Sequence, residues 1–257
     1  MSDGVRVASE GALLTLAFDR PSRRNAITGA MYDALAAALR DSDVDDSIRV
    51  VLLHGSADAF TAGNDLEDFM RAPPSGEDAP VFRFLVAMSR ALKPIVAAVH
   101  GPAVGIGTTM LLHSDLVYAA DDARFQLPFV SLGVVPEFAS SYLLPLVAGH
   151  ARAAELLLLG EPFTAKQAHE CGIVTRVLPA AEVLPAARAS AAKLAALPSK
   201  SVRLTKALMK APHAAAVQAQ LQLEGRHFRE MLREPAAREA LAAFLEKRKP
   251  VFDPQGS

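Results

Sequence analysis

Hydrophobic residues in the first half of the chain form short runs that alternate with amphipathic stretches. Residues 12–18 (ALLTLAF) and 48–54 (IRVVLLH) are apolar, rich in β-forming residues and as long as a typical buried strand. Between them Thr28 can cap a helix. Apolar residues recur there at helical spacing, at Met31, Leu35, Ala38 and Leu39. The pattern therefore predicts a strand, a helix and a second strand in succession.

The same alternation continues along the chain. A helix is predicted over 81–92, because Pro94 prevents its continuation, and the run 95–99 (IVAAV) is typical of a buried strand. Strands that alternate with helices indicate an α/β fold with parallel strands. The run is followed by a glycine-bearing turn, an apolar helix and a further strand, predicted at 101–107, 108–113 and 116–119.

The pattern changes from about residue 181 to Ala- and Leu-rich amphipathic segments. These segments are separated by Pro198, Pro212 and Pro235, which predicts an all-helical C-terminal portion. We place a boundary near residue 197. The chain is thus predicted to consist of an α/β core over 1–197, which carries the site, and a helical region over 198–257.

Composition and charge restrict the classes of partner. Hydrophobic residues make up 51% of the 257 residues, and 27 Lys and Arg face 28 Asp and Glu, so the formal net charge is −1. That balance offers no extended basic surface to nucleic acid or to an anionic membrane. The single cysteine, Cys171, excludes an intrachain disulfide and a zinc site built from cysteines. With no signal-like N-terminus and no apolar run of spanning length, we expect a cytoplasmic protein.

The segment FTAGNDL at 60–66 follows the second predicted strand, where α/β proteins place ligands. Gly63 permits a close approach of the backbone to a bound molecule. The alternative is an ordinary turn in which Asn64 or Asp65 caps a helix. The residues of this segment leave both interpretations open.

The glycine-rich segment GPAVGIG at 101–107 leads a predicted strand into the N-terminus of a helix. Free N–H groups at that end can bind negative charge. The segment lacks the Lys-Ser/Thr ending of a P-loop and the G-x-G-x-x-G spacing of a dinucleotide loop, so a nucleotide phosphate is not its expected ligand. Two N–H donors from separate loops are, however, what an oxyanion hole needs.

The third segment is LGVVPEFASSYLLP at 132–145, in which Pro136 and Glu137 are predicted to open an apolar helix. A glutamate in a first helical turn commonly serves only to offset the helix dipole. Alternatively, an apolar pocket could raise the pKa of Glu137 and make it a general base. Its neighbours are apolar: Val134, Val135, Phe138 and Ala139.

The histidines and serines offer weaker candidates for catalytic or metal-binding residues. His54, His100 and His113 lie in apolar stretches and are predicted to be core residues rather than bases or metal ligands. No H-E-x-x-H or comparable spacing is present, so no metal site is expected. The serines after Glu137 lack the G-x-S-x-G elbow of a serine hydrolase.

Taken together, these segments resemble the crotonase superfamily, the enoyl-CoA hydratase/isomerase family, from about residue 10 to the C-terminal FLEKRKPVF. RPSRRNAIT at 20–28 is similar to the family's early CoA-binding stretch, FTAGNDL to its first oxyanion loop, and HGPAVGIG to its second. LGVVPEFASSYLLP is similar to the third active-site segment. The resemblance implies a spiral of ββα units followed by the helical region, which serves oligomerisation in trimers or pairs of trimers.

The resemblance also implies a site for carbanion chemistry next to a thioester. The backbone N–H groups of Ala62 and Ile106 would hold the thioester oxygen. Hydratases of the family carry two glutamates, at the positions of Thr109 and Phe129 here, and neither residue can act as a carboxylate base. Glu137 instead matches the lone glutamate of the Δ3,Δ2-enoyl-CoA isomerase branch, which shifts a double bond from C3 to C2.

The substrate implied is an acyl-CoA thioester, with no further cofactor because CoA is part of the substrate. The basic pair Arg23 and Arg24 suits a phosphorylated nucleotide. The positions implied to contact CoA are Arg23, Arg24, Ala26, Asp65, Leu66, Phe244 and Lys247.

Two alternatives remain open from the sequence. The same site could isomerise or hydrate another acyl-CoA, such as an intermediate of aromatic degradation, because fold-level similarity does not fix the substrate. The second is a catalytically idle protein that only binds acyl-CoA. Retention of both glycine loops together with Glu137 favours an enzyme.

Overall fold

The structure is a computed structural model that describes residues 4–56 and 58–252. The end of the predicted helical region, 253–257, therefore lies outside the described residues. The strands of the described part are β1 (Val5–Glu10), β2 (Leu13–Phe18), β3 (Val50–Gly55), β4 (Ile95–Val99), β5 (Pro102–Val104), β6 (Leu116–Ala120), β7 (Arg124–Gln126), β8 (Phe163–Thr164) and β9 (Arg176–Leu178).

The helices of the described residues outnumber the strands and dominate the C-terminal half. They are α1 (Gly29–Val44), α2 (Leu66–Arg71), α3 (Pro80–Arg90), α4 (Ile106–Thr109), α5 (Ser140–Ala148), α6 (His150–Ala154), α7 (Ala165–Glu170), α8 (Ala180–Ala196), α9 (Ser199–Lys210), α10 (Ala214–Met231) and α11 (Pro235–Leu245). Short 3-10 turns lie at Pro21–Arg23, Met110–His113, Val130–Leu132 and Ala211–His213, and a π-helical turn at Glu155–Leu159.

The larger sheet has the strand order β1-β2-β3-β4-β6-β9. β1 pairs antiparallel with β2, and every other neighbouring pair is parallel. All five residues of β4 are buried, as expected for a central parallel strand covered on both faces. The strands predicted from apolar runs are confirmed as β2, β3, β4 and β6.

A second sheet of three short strands, in the order β5-β7-β8, lies beside the first. β5 is parallel to β7, and β7 is antiparallel to β8. The sequence predicted only a glycine-bearing turn at 101–107, whereas residues 102–104 form β5 inside it. A three-residue strand has no periodic signal of its own, since its pairing depends on β7.

The predicted N-terminal helices are confirmed. α1 begins after Thr28, whose hydroxyl accepts a hydrogen bond from the Met31 N–H at 3.4 Å. α3 has Pro80 in its first turn and ends at Arg90, before Pro94. The apolar helix predicted at 108–113 divides into α4 and the 3-10 turn Met110–His113.

The C-terminal helices are anchored to the α/β body by buried polar contacts. The Lys206 ammonium of α9 is 4% exposed and donates to the Lys93 carbonyl at 2.7 Å and to Asp115 at 2.8 Å. α8 lies before the predicted boundary at 197 and packs on β3, β4 and β6. An α/β body with a helical C-terminal region is thus confirmed, whereas the division at 197 stays a prediction.

Candidate active site

A cavity of about 460 Å³ lies between the smaller sheet with its neighbouring loops and the C-terminal helices. Its volume falls in the range of small-molecule sites, roughly 300–1,000 Å³. The loop before α2 and the turn before α4 form one side, and the segment at 126–134 forms the floor. α10 and α11 close it with Phe228, Leu232, Leu241, Phe244 and Leu245. The walls are largely apolar, so an acyl group is a suitable occupant.

The loop FTAGNDL is held against β5. Thr61 forms an isolated β-bridge with Ala103. The Thr61 N–H donates to the Pro102 carbonyl at 3.1 Å, and the Thr61 carbonyl accepts from the Val104 N–H at 3.0 Å. Gly63 has φ +88°, and a Cβ there would come within 2.7 Å of the Val104 carbonyl oxygen. Only glycine fits this close approach without displacing backbone. The first loop and the second glycine turn are therefore one packed unit.

The prediction that Ala62 supplies an oxyanion donor is wrong in this structure. The Ala62 N–H donates to the Arg24 carbonyl at 2.9 Å, because residues 24–27 run alongside the loop. In the same way, the Asp65 N–H donates to the Ile27 carbonyl at 2.9 Å. Between them, the Asn64 N–H makes no hydrogen bond to the described residues, and Asn64 lines the cavity. Asn64 replaces Ala62 as the available donor.

Ile106 agrees with its predicted placement. It is the first residue of α4, and its N–H has no acceptor within the described part of the chain, as expected for a helix N-terminus. Ile106 and Asn64 line the same cavity. The amide of Gly105 is engaged by the Gln126 carbonyl at 2.9 Å, which holds the turn in place.

Glu137 lies in a turn and not in a helix. The expectation that Pro136 and Glu137 open the helix is wrong, because α5 begins at Ser140 and the two residues before it have positive φ. The Glu137 side chain is 6% exposed and is not among the residues that line the cavity. It is directed to the last residue of α4, where its Oε1 accepts a hydrogen bond from the Thr109 hydroxyl at 2.5 Å.

The surroundings of Glu137 favour its protonated form. Burial raises the pKa of this carboxyl to about 8, the Thr109 hydrogen bond opposes that rise, and the nearby Glu224 carboxylate adds to it. A carboxyl group with a pKa near neutrality can both take and return a proton at physiological pH. Dipole compensation in a first helical turn is therefore not the role of Glu137.

The two positions that carry glutamates in hydratases hold groups that cannot activate water here. Thr109 is fully buried and contacts the Glu137 carboxyl. Phe129 is 5% exposed and forms part of the cavity wall. Glu137, in the turn after Pro136, is consequently the carboxyl group that contacts α4, the helix that follows the second glycine loop.

Tyr32 and Asn64 form a contact that the sequence did not single out. The Tyr32 hydroxyl donates to the Asn64 Oδ1 at 2.5 Å. Burial, and secondly the charge of Glu137, raise the pKa of this phenol well above its ordinary value, so Tyr32 lies near that carboxyl. Tyr32 lies on α1 but is not one of the apolar residues from which that helix was predicted, and no local signal distinguished it.

The predicted CoA-binding residues are partly brought together. Arg23, Ala26, Asp65, Leu66 and Phe244 line the cavity, whereas Arg24 and Lys247 do not. The Arg23 guanidinium forms an exposed ion pair with Glu67 at 3.0 Å, so it stands at the rim. A CoA contact by any of these residues stays a prediction.

Asp65 has structural contacts that occupy its side chain. It caps α2 by accepting the Asp68 N–H at 3.0 Å, and it forms a short ion pair with Arg20. Burial acts to raise the pKa of Asp65, but the Asp68 N–H and Arg20 hold it below its ordinary value. The helix-cap interpretation of this motif is thus confirmed for Asp65, and it is compatible with Asn64 facing the cavity.

Two further searches concern only the part of the chain that is described. Residues 4–56 and 58–252 contain no group of three or more His, Cys, Asp or Glu side chains arranged to hold a metal ion. Within the same ranges no helix has both the length and the apolar character needed to cross a membrane.

The fold and the site together define a class of acyl-CoA enzyme. The family model for enoyl-CoA hydratase/isomerase matches residues 8–255, and the chain belongs to this family. The solved structure of an enoyl-CoA hydratase/isomerase from Pseudoalteromonas atlantica superposes with a TM-score of 0.92 at 44% identity, covering 98% of this chain and all of that one. The predicted crotonase fold is therefore confirmed.

Two curated relatives indicate the range of reactions in the family. The chain is 40% identical to rat enoyl-CoA delta isomerase 2 over 215 residues, which is 81% of this chain and 55% of the relative. The chain thus spans about half the length of that protein. It is 38% identical to the 1,2-epoxyphenylacetyl-CoA isomerase of Escherichia coli over 252 residues, 95% of both chains.

Proposed function

We propose that this protein is an isomerase that shifts the double bond of a 3-enoyl-CoA to give the 2-enoyl-CoA. The observation that carries the proposal is the Glu137 carboxyl, which is buried and hydrogen-bonded to Thr109 at the end of α4, the helix that begins with Ile106. A 1,3-proton shift needs one group that takes a proton and returns it. The similarity to a delta isomerase supports the same reaction.

In the proposed reaction Glu137 acts in its ionised form. It removes a proton from C2, and the electrons of that C–H bond pass into a dienolate whose charge rests on the thioester oxygen. The N–H groups of Asn64 and Ile106 hold this oxygen, and such a donor is typically worth about 2.7–4 kcal/mol. The Glu137 carboxylic acid then delivers the proton to C4, and the double bond moves from C3–C4 to C2–C3.

Water addition by the two-glutamate route is not the proposed reaction. Thr109 and Phe129 occupy the positions of the two carboxylates, and Phe129 makes the cavity wall apolar at that point. An apolar ring cannot orient or deprotonate a water molecule. The hydratase alternative therefore lacks its chemical groups in this chain.

The proposal is tested by replacing Glu137 with Gln. The amide keeps the size of the side chain and cannot take a proton, so we expect conversion of trans-3-enoyl-CoA to fall by roughly 10²–10⁴-fold, while acyl-CoA binding survives. Conjugation is followed spectroscopically and binding by calorimetry. The exposed Glu170, changed to Gln, serves as the control and should retain full activity.

Three outcomes of this assay contradict the proposal. Rapid hydration of trans-2-enoyl-CoA without isomerisation would assign the hydratase reaction. Binding of acyl-CoA with no turnover by the unaltered protein would assign the idle binding protein. Full isomerase activity of E137Q would remove Glu137 from the reaction.

A second candidate is an isomerase of an acyl-CoA that carries an aromatic ring. The cavity walls include the rings of Phe69, Phe129, Phe228 and Phe244, which suit an aromatic acyl group. The Escherichia coli relative that matches over nearly its whole length acts on 1,2-epoxyphenylacetyl-CoA. Comparing kcat/KM for that thioester and for linear 3-enoyl-CoA esters of graded length separates the two candidates.

The wider assignments are proposals of the same kind. We propose an acyl-CoA thioester substrate, no added cofactor or metal ion, and a homotrimer or a dimer of trimers in the cytoplasm. Light scattering gives the assembly directly, since the chain mass is 27.2 kDa. Activity after exhaustive treatment with a chelator tests the absence of a required metal ion.

A further inference from the structure

The turn that carries Glu137 has an unusual backbone. Phe138 and Ala139, the two residues that follow Glu137, have φ values of +62° and +55°. Residues with a Cβ adopt this left-handed conformation rarely, and two in succession persist only when their surroundings hold them. Both side chains are fully buried. The direction of the Glu137 side chain therefore depends on whatever holds this pair.

One side of the turn is held by His113. Its Nε2 lies 2.7 Å from the Phe138 carbonyl oxygen and must donate, because a carbonyl only accepts. The imidazole also stacks on the Phe138 ring with centroids 4.0 Å apart. Burial lowers the pKa of His113 to about 3, so the ring is neutral throughout the working pH range.

The other side is held by Glu224 of α10. One carboxylate oxygen accepts the Ala139 N–H at 2.6 Å, and the other accepts the Ser141 N–H at 3.0 Å and the Ser141 hydroxyl. The side chain is 4% exposed, although α10 is otherwise largely solvent-facing. A buried carboxylate is costly unless such contacts compensate it, which indicates a specific purpose at this position.

We propose that Glu224 and His113 are positioning residues that fix the left-handed Phe138–Ala139 pair and thereby hold Glu137 at the reacting carbons. This inference rests on the proposed function. His113 and Glu224 bond the backbone of the two residues that follow Glu137, so both act through this turn and not on the substrate. A displacement of about 1 Å at a reacting group can lower a rate on the order of 100-fold.

Glu224 has a second effect on the same carboxyl group. The groups that face the Glu137 turn from other elements include Tyr32 from α1, Thr109 from α4, His113 from the 3-10 turn and Glu224 from α10. Among them Glu224 is the other carboxyl group: burial raises its own pKa to about 7, and its ionised form raises the pKa of Glu137 further after burial has raised it. Removal of that charge lowers the pH at which Glu137 ionises.

The test compares E224Q with Q220A. An amide cannot accept from both the Ala139 and Ser141 N–H groups, so E224Q releases one side of the turn. Gln220, one turn earlier on α10, bonds the Ser141 hydroxyl at 2.8 Å without touching Ala139, which makes Q220A the matched control. For E224Q we expect kcat to fall on the order of 10- to 100-fold with KM unchanged, and the pH–rate curve to move to lower pH.

Rescue distinguishes positioning from a general loss of structure. Glycine adopts positive φ without strain, so E224Q combined with A139G should recover part of the lost kcat. H113F keeps the ring stacking and removes the N–H donor, and it should lower kcat in the same way. This variant provides the test if E224Q does not fold.

The outcomes separate this inference from the proposed function. Amide hydrogen exchange over residues 138–141 should be faster in E224Q than in the unaltered protein, whichever reaction the site performs. Faster exchange in a protein with no isomerase activity would contradict the function and leave the positioning role intact. An active enzyme in which E224Q shows unchanged kcat, pH profile and exchange, or in which Q220A loses as much as E224Q, would overturn the positioning role.

Discussion

At the scale of single residues, the site pairs one carboxyl group with one hydroxyl group. Thr109 occupies the position at which a hydratase places a second glutamate, and its hydroxyl donates to Glu137 at 2.5 Å. A second carboxylate at that distance would raise one of the two pKa values strongly. The Thr109 hydroxyl instead acts to lower the pKa of Glu137, since a hydrogen bond to the ionised carboxylate stabilises that form. Thr109 therefore lowers the pKa of Glu137, the proposed base.

Replacing Thr109 by Val should move the pH dependence of the reaction. Glu137 must be ionised to take a proton, so kcat/KM of the unaltered enzyme should rise with pH through about 8, the pKa of this carboxyl. Loss of a charge-assisted hydrogen bond worth about 1.5–3 kcal/mol raises that pKa by roughly one or two units. At pH 7, below both pKa values, the activity of T109V should thus be about 10- to 100-fold lower.

The measurement is a pH–rate profile with a 3-enoyl-CoA substrate. Thr108 is the matched control, because its hydroxyl bonds the Ala103 carbonyl at 2.6 Å and T108V removes a buried hydrogen bond away from Glu137. Superimposable profiles of T109V and the unaltered enzyme would show that Thr109 does not set the pKa.

At the scale of secondary-structure elements, the two glycine loops are built as one unit. The first loop is bridged to β5 through Thr61 and Ala103, and β5 leads directly into α4. Gly63 makes this contact possible, since a Cβ there would lie 2.7 Å from a backbone oxygen of β5. A displacement of either loop therefore changes the separation of the two amides that face the cavity.

We expect G63A to lose most of its activity. The methyl group must displace backbone, which moves the Asn64 and Ile106 N–H groups apart, and loss of one such donor typically lowers kcat by about 10²–10³-fold. G11A is the control: Gly11 has φ +56° with open space around the position of a Cβ, so it bears only the left-handed strain of roughly 1–2 kcal/mol. Steady-state kinetics and chemical unfolding of both variants give the comparison. Equal activities of the two variants would contradict the packing argument.

At the scale of the whole molecule, the C-terminal helices complete a cavity that the α/β body begins. Phe228 of α10, Leu232 directly after it and Phe244 of α11 line the cavity together with the glycine loops. These helices are linked to the site by Glu224 as well. The helical region thus shapes the acyl site within its own chain, whichever assembly the protein forms.

F244A should weaken substrate binding without slowing the chemical step. The Phe244 side chain is 60% exposed and lines the cavity, so a bound acyl-CoA would cover it. Full burial of such a ring is worth about 1.5–3 kcal/mol. Because about half of the Phe244 surface is left for the substrate to cover, loss of the ring should raise KM roughly three- to tenfold. F252A is the control, because Phe252 is exposed and lies outside the cavity. A fall in kcat with unchanged KM would assign Phe244 another role.

The elements that were predicted correctly are those whose signal is local. β2, β3, β4 and β6 are runs of apolar residues because both faces of each strand are covered, and α1 has its own capping residue in Thr28. β1 was missed because five of its six residues are exposed, so it lacks an apolar run. β5, β7, β8 and β9 are only two or three residues long and exist through their partners.

The same distinction between local and long-range interactions applies to the site. The sequence by itself determined the family and the two glycine loops, and by resemblance it predicted Ile106 and Glu137 as site residues, since these inferences depend on residue types at fixed spacing. Tertiary structure alone decided that the Arg24 carbonyl occupies the Ala62 N–H, and that the turn after Glu137 is left-handed and held by His113 and Glu224. The reason is physical: whether an amide is free or a carboxyl is buried depends on partners far away along the chain.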